Sequence, residues 1–370
     1  MVTRRQLMIS AASIAGGLAA GQGCSAGSGG DAAYADAVRK IWRPTDGAAG
    51  DRASLMLELV RYATLAASSH NTQCWKFRIA ANAISVFPDL QRRCPAVDPD
   101  DHHLFASLGC AVENLARAAL ANGLEAEVRF DAAKDGEVRV DLVPTKAVAS
   151  PLFEAIPRRQ STRAEFDARP LSGEELRLLE RTGTSPGVRV LLLTDSAAME
   201  RVLEHVVQAN TAQMNDSAFV AELKAWIRFG DEEALRTGEG LFSRCTGNSS
   251  VPRWLGSPLF SLFFRKSSEN DKYARHIRSS AGIAIFASQS DDKAHWVEAG
   301  RSYQRFALQA TALGIRTAFL NQPVEVSELR PQFADFLGLG GRRPDLVVRF
   351  GRGPEMPRSL RRPVQAVLAA

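Results

Sequence analysis

The chain has 370 residues, enough for one large domain or two of ordinary size, and its 45% hydrophobic and 24% charged content is that of a soluble globular protein. The formal net charge of +5 falls to +3 without Arg4 and Arg5, which lie in a segment expected to be removed. So small an excess excludes a general nucleic-acid partner.

Residues 1–30 read as a targeting segment and flexible leader. Thr3-Arg4-Arg5-Gln6-Leu7 precedes a weakly apolar run, Met8 to Ala20, and then small residues, which is the twin-arginine export pattern. The run contains Ser and Gly and is too short and mild to span a bilayer. Export places the mature chain in the periplasm or at the extracytoplasmic face of the membrane. Cys24 follows Gly21-Gln22-Gly23, whereas a lipoprotein cleavage site wants a Leu-like residue three before the cysteine, so a lipid anchor at Cys24 is not favoured. The other cysteines, Cys74, Cys94, Cys110 and Cys245, form no C-x-x-C pair and no spacing suited to zinc.

Residues 25–33, rich in Gly, Ala and Ser, read as flexible. Leu55, Leu59 and Tyr62 recur at helical spacing over 53–66. The polar loop 68–73 follows. Phe77, Ile79, Ile84 and Val86 alternate as a strand pair, a helix spans about 104–121 and stops at Asn122-Gly123, and Val138, Val140 and Leu142 alternate as a further strand. Beyond residue 150 the layout recurs: helix 173–182, strand 187–194, strand 283–287, helix 297–312 ending at Gly314, and strand 346–350. Residues 197–275, mainly helical, have no counterpart in the first half. Gly109 and Gly123 bracket one helix; Gly300 and Gly314 bracket the other. At the shared offset of 191, Leu115 matches Phe306 and Ala119 matches Ala310. We read this as a duplication.

Two segments carry the chemistry. Arg159, Ser161 and Arg163 share one side of an extended stretch, because alternate residues share a face. Two planar guanidinium forks with a hydroxyl between them suit a phosphate, while a solvated basic stretch is the blander reading. Arg358, Arg361 and Arg362 in the tail would complete the clamp or form a basic surface. The loop Ser68-Ser69-His70-Asn71-Thr72-Gln73 offers short polar groups to the edge of a heterocycle, or simply caps a helix and turns.

Ala66-Ala67-Ser68-Ser69-His70-Asn71-Thr72-Gln73-Cys74-Trp75-Lys76-Phe77 resembles the segment A-P-S-x-x-N-x-Q-P-W-x-F of the nitroreductase-fold flavoproteins, with Ala67 and Cys74 in place of its prolines. Residues 157–171 resemble that family's opening R-x-S-x-R-x-F, 300–323 its long helix and flavin-edge loop, and 346–368 its closing strand and basic tail. Glu222 to Phe229 and Val251 to Gly256 are similar to the lid insertion of the Acg-like subgroup, whose chains are fused and duplicated. The resemblance implies an α+β, nitroreductase-like fold: two fused repeats mimicking the family homodimer, each a mixed, mainly antiparallel sheet flanked by helices. The first repeat would cover 31–150 and the second 151–370, with 197–275 as a helical lid.

The resemblance further implies FMN, built into a composite site to which each repeat gives one half. Arg159, Ser161 and either Arg361 or Arg362 would hold phosphate and ribityl groups. Arg163 would lie at the pyrimidine edge, Ser68, Ser69 and Asn71 against the ring system, and Asn321 or Gln322 near N5. The second pseudo-site lacks both motifs, so one FMN per chain is expected, in a monomer mimicking a dimer. No side-chain acid, base or nucleophile stands out, and no metal ligands. The leading reading is an FMN-dependent oxidoreductase acting on a small oxidised acceptor; the runner-up is a protein that stores or shields FMN without turnover. A surface-binding module using the basic tail is a third.

Overall fold

The computed structural model describes residues 28–44, 50–133 and 136–369. The twin-arginine pattern and Cys24 lie outside the described residues. Helix α1 (Ser28–Ile41) begins inside the segment read as flexible. Its composition misleads because the helix is held from a distance: Tyr34 Oη donates to Arg358 O at 2.6 Å, and Nε1 of Trp42, just beyond the helix, donates to Ser359 O at 2.9 Å.

The first repeat runs α2 (Arg52–Thr64), β1 (Trp75–Ala80), β2 (Ala83–Pro88), α3 (His102–Ala121), β3 (Leu124–Asp131) and β4 (Glu137–Pro144). Asp51 caps α2 by accepting from Ser54 N. Its strands pair antiparallel in the order β1-β2-β4-β3. A short helix, α4 (Pro151–Ala155), leads into the second repeat. This comprises α5 (Gly173–Gly183), opened by a Ser172–Glu175 capping box, and β5 (Val188–Leu193).

The insertion follows: α6 (Ser196–Asn215), α7 (Ser217–Trp226), β6 (Ile227–Arg228), α8 (Asp231–Thr237), β7 (Leu241–Phe242), α9 (Arg253–Phe263) and α10 (Lys266–Arg278). The repeat then resumes with β8 (Gly282–Ser288), α11 (Lys293–Ala312), β9 (Arg316–Phe319), α12 (Gln322–Glu325), α13 (Arg330–Phe336) and β10 (Arg343–Gly351). Its sheet is also antiparallel, ordered β5-β8-β10-β9. With β5, β8, β9 and β10 standing for β1, β2, β3 and β4, the two orders coincide, and α11 takes the place of α3. The architecture is α+β, two antiparallel sheets of one topology around paired helices. Among the described strands, the two-residue β6 and β7 of the insertion pair in parallel, and isolated parallel bridges join Phe77 to Leu368 and Ser161 to Thr317.

At the centre α3 and α11 cross with backbones touching. A Cβ on Gly109 would sit 1.9 Å from Val297 O, and one on Gly300 would sit 1.8 Å from Ala106 O. The glycine pairs therefore differ in purpose. Gly123 and Gly314 take left-handed φ values of +75° and +72° at helix ends, as caps. Gly109 and Gly300 lie inside their helices and mark the crossing, where sequence reading makes them brackets. By length and composition α3 could cross a membrane, but it is packed into the core. The tail of the second repeat ends on the first sheet: Leu368 bridges to Phe77, and Ala369 N donates to Phe77 O at 2.7 Å.

Candidate active site

A cavity of about 580 Å³ opens between the repeats, beneath the insertion. The volume lies within the range of small-molecule and cofactor sites. The first repeat contributes the loop 67–70 and, from α3, His103, Ala106, Ser107 and Cys110; the second contributes Arg163, Tyr303, residues 318–322 and Arg349. The insertion forms the roof, where Phe219, Leu223, Phe229, Leu259 and Phe260 stand beside polar groups such as Asn210, Gln213, Lys272 and His276.

Of the residues singled out by sequence, Ser68, Ser69, Arg163, Asn321 and Gln322 line the cavity. Arg159, Ser161, Arg361, Arg362 and Asn71 do not. The Asn71 backbone is left-handed (φ 54°), and its Nδ2 donates to Gly240 O at 3.1 Å and to Leu360 O at 3.3 Å. Gln73 acts alongside, donating to Gly238 O at 2.8 Å and accepting from Arg362 N at 2.8 Å. This end of the loop stitches the insertion and the tail to the first repeat.

Arg159, Ser161 and Arg163 all come near Tyr303, a cavity residue. Ser161 bridges to Thr317, which holds the segment extended against β9, while Arg158 is exposed. Arg159 and Arg361 are buried at the C-terminal end of α2, and both donate to Leu65 O at 3.4 Å. Arg361 also donates to Thr64 O at 2.7 Å and to Ala66 O at 3.1 Å, which satisfies the open carbonyls of that helix end. Burial, then the neighbouring Arg159 charge, pushes Arg361 down to about 9. Arg159 differs: its Nε and Nη1 are buried with no hydrogen-bond partner. Arg362 points elsewhere, donating to Ala366 O at 2.6 Å and lying 4.0 Å from Asp89.

Arg349 is fully buried and donates to Thr162 O at 3.0 Å and Ala164 O at 2.7 Å. Burial, then the Arg163 charge, lowers it to about 9. Among the described residues none of Arg159, Arg163, Arg349 and Arg361 faces a carboxylate in an ion pair. Arg163 and Arg349 line the cavity, while Arg159 comes near its Tyr303 and Arg361 lies beside Arg159 without lining it. A buried cation lacking a partner anion is unfavourable, so the cavity beside them is set to receive negative charge from a ligand.

His103 on the cavity wall belongs to a buried polar cluster that sequence reading misses. His102 Nε2 lies 3.1 Å from Asp345 Oδ1, and His103 Nδ1 lies 3.6 Å from Asp98 Oδ1. Asp98 also accepts from His103 N and Leu104 N, each at 3.0 Å, at the first turn of α3. Burial alone would raise Asp98, but the hydrogen bond and charge of His103 outweigh it and hold the carboxyl at about 2. Burial would likewise lower His103; the same carboxylate raises it instead. Asn321 Nδ2 lies 3.2 Å from His103 Nε2, so a neutral imidazole carries its proton on Nδ1, toward Asp98. His70, pushed down to about 4 by burial and then by Arg163, stays neutral. The pair His102-His103 at a helix start, with Asp98 just ahead of it, was the available signal; Asp345 and Asn321 are distant in sequence. Asp98, His102 and His103 could also approach a cation: one ligand atom from each lies within 4.8 Å of the others, and His102 Nδ1 is buried without a hydrogen-bond partner.

No family model matches the chain. It aligns with a Mycobacterium tuberculosis H37Rv protein, Rv3131, provisionally named an NAD(P)H nitroreductase, at 28% identity over 303 residues. The match covers 79% of this chain and 83% of that one. By sequence, the chain is similar to bacterial proteins named nitroreductases. A second H37Rv protein, acg, carries the same provisional name and aligns at 24% identity over 320 residues, 83% of this chain and 93% of its own. Among solved structures, the FMN-dependent nitroreductase NfnB of Mycobacterium smegmatis in complex with NADPH superposes with a TM-score of 0.37 at 14% identity, over 56% of this chain and 94% of that one. A Desulfitobacterium hafniense nitroreductase with bound FMN gives 0.35 at 16%, over 57% and 94%.

Proposed function

We propose that the chain binds one FMN in the cavity between its repeats and works as an oxidoreductase on a small oxidised acceptor. The observation that carries the proposal is the cavity itself, polar at the 68–70 loop, cationic at Arg163, and backed by buried Arg159 with two unpartnered donors. That donor set fits an anionic cofactor: Arg159 and Ser161 would hold phosphate and ribityl oxygens, with Arg361 beside them. Arg163 would supply a cation to the ring edge, while Ser68, Ser69, Asn321 and Gln322 would orient the ring system. Bound FMN would supply electron or hydride transfer. The chain's own groups position it, exclude water with the apolar side chains of the roof, and hold a proton on His103.

One site per chain is supported by what replaces its symmetry mate. Ser107 and Cys110 line the cavity; at the offset of 191 stand Glu298 and Arg301. These pair with each other at 2.9 Å, and Arg301 and Arg305 both approach buried Glu113, at 3.3 and 3.0 Å. An ion-pair cluster occupies those positions instead of an open wall.

FMN shielding without turnover is the second reading. The roof is fastened down at Asn71, Gln73 and Glu222, whose carboxylate accepts from Ala96 N at 3.0 Å and Val97 N at 3.1 Å. Twin-arginine export, itself a proposal from the sequence, weighs toward shielding, since nicotinamide cofactors are scarce outside the cytoplasm, and it suits a chain that folds around its cofactor before crossing. The test is a visible spectrum of the purified chain, then anaerobic NADH or NADPH. Bleaching by a nicotinamide supports turnover, and bleaching by dithionite alone supports shielding. A colourless chain that takes up no FMN sinks both.

A further inference from the structure

Helix α9 of the insertion carries an apolar stripe that nothing in the fold covers. Trp254, Leu255, Pro258, Leu259, Leu262 and Phe263 recur at i, i+1, i+4, i+5, i+8 and i+9, and all six are exposed. Trp254 is 76% exposed, Phe263 65% and Leu262 56%. Large apolar side chains rarely gather in the open without a use. The helix is held by its other face, where Gly256 and Phe260 pack against Phe229, the two phenyl ring centres 6.4 Å apart.

The charge around the stripe says what covers it. From Val251 to Ser268 there is no Asp or Glu, while Arg253 stands at one end and Arg265 and Lys266 at the other. Arg253 is paired with Glu233, so Arg265 and Lys266 carry the uncompensated positive charge. An apolar face with a tryptophan at one end and basic residues at its ends is the pattern of a helix lying in a bilayer interface. Anionic lipid adds attraction for those cations. Leu259 and Phe263 belong both to the stripe and to the cavity wall, so the same helix separates the outside from the site.

We propose that α9 docks on an anionic lipid surface, laying its stripe in the interface and setting the roof of the cavity against the membrane. The inference does not depend on the cofactor assigned above, and its test reads lipid rather than flavin. The full chain is mixed with vesicles of phosphatidylcholine and phosphatidylglycerol, some carrying bromine on their acyl chains, and tryptophan fluorescence is followed. Any binding through the leader is common to all variants. Bromolipid quenching is expected in the wild type and should fall by the Trp254 share in Trp254→Phe. Leu262→Ser/Phe263→Ser should weaken vesicle binding at least tenfold, and Arg265→Ala/Lys266→Ala should remove the preference for phosphatidylglycerol. These positions are exposed, and an unchanged melting temperature verifies folding. Quenching equal in wild type and Trp254→Phe overturns the proposal. So does a stripe-dependent dimer in sedimentation without vesicle binding, which would make a second copy the occupant.

Discussion

Replacing Arg159 with Met should separate the affinity for phosphate from the stability of the fold. The guanidinium is buried, makes one long hydrogen bond at 3.4 Å, and leaves Nε and Nη1 unpartnered. Charge-assisted hydrogen bonds contribute about 1.5–3 kcal/mol each, so two donors closing on a phosphate give about 3–6 kcal/mol. At about 1.4 kcal/mol per decade this is roughly 10²- to 10⁴-fold in Kd. Without ligand the same charge is unfavourable, and an apolar chain of similar length should leave the apo melting temperature level or raise it. The assay is fluorescence titration with FMN and with riboflavin, which lacks the phosphate. Wild type should prefer FMN; Arg159→Met should lose most of that preference, keeping only what Ser161 and Arg361 supply. An undiminished FMN preference would refute the phosphate assignment, and an equal loss for both ligands would point to a collapsed site.

Other outcomes follow from the packing. Gly300→Ala places a methyl group 1.8 Å from Ala106 O, so the central helices must part, and denaturant unfolding should show a loss of about 3 kcal/mol or more. Gly314→Ala meets nothing within 4 Å and should lose only ~1 kcal/mol from its positive φ. Asp98→Asn tests the buried carboxylate. The folded value, held at about 2, lies below the unfolded one, so the stabilisation is present above about pH 4 and lost as pH falls toward 2. The variant should therefore be weaker by about 2 kcal/mol at pH 7 and level with wild type near pH 2, measured by unfolding across that range. Gln73→Ala removes contacts to Gly238 and Arg362, and should speed both proteolysis near 238–240 and FMN dissociation.

Much of the architecture is visible in local pattern. Alternation at 138–142 and 346–350 marks core strands, and helical spacing marks α2, α3 and α11, because each buries one face of a regular element. β9 escapes because four residues hold too little pattern; β3 alternates Leu124, Ala126, Val128 and Phe130 with charged residues but follows directly on a helix cap. Helix α1 escapes because the tail, more than 300 positions on, holds it. In the site, the alternation of 159, 161 and 163 is legible, and the structure brings all three near Tyr303. Asn71 is not, since a left-handed turn sends its amide toward Gly240. Nor are Arg349, whose acceptors Thr162 and Ala164 lie far along the chain, and His103, which meets Asn321 from the other repeat.

The meeting of α3 and α11 at Gly109 and Gly300 also bears on how the molecule could change. In a pair of identical subunits, any residue acquired near one site is written into the other. Here the covalent link between repeats breaks that obligation. Glu298 and Arg301 could settle on α11 while Ser107 and Cys110 stayed on α3, and a long insertion could grow over one side alone. Inherited symmetry at the centre is thus compatible with a lopsided exterior, because each copy of the motif answers to its own surroundings.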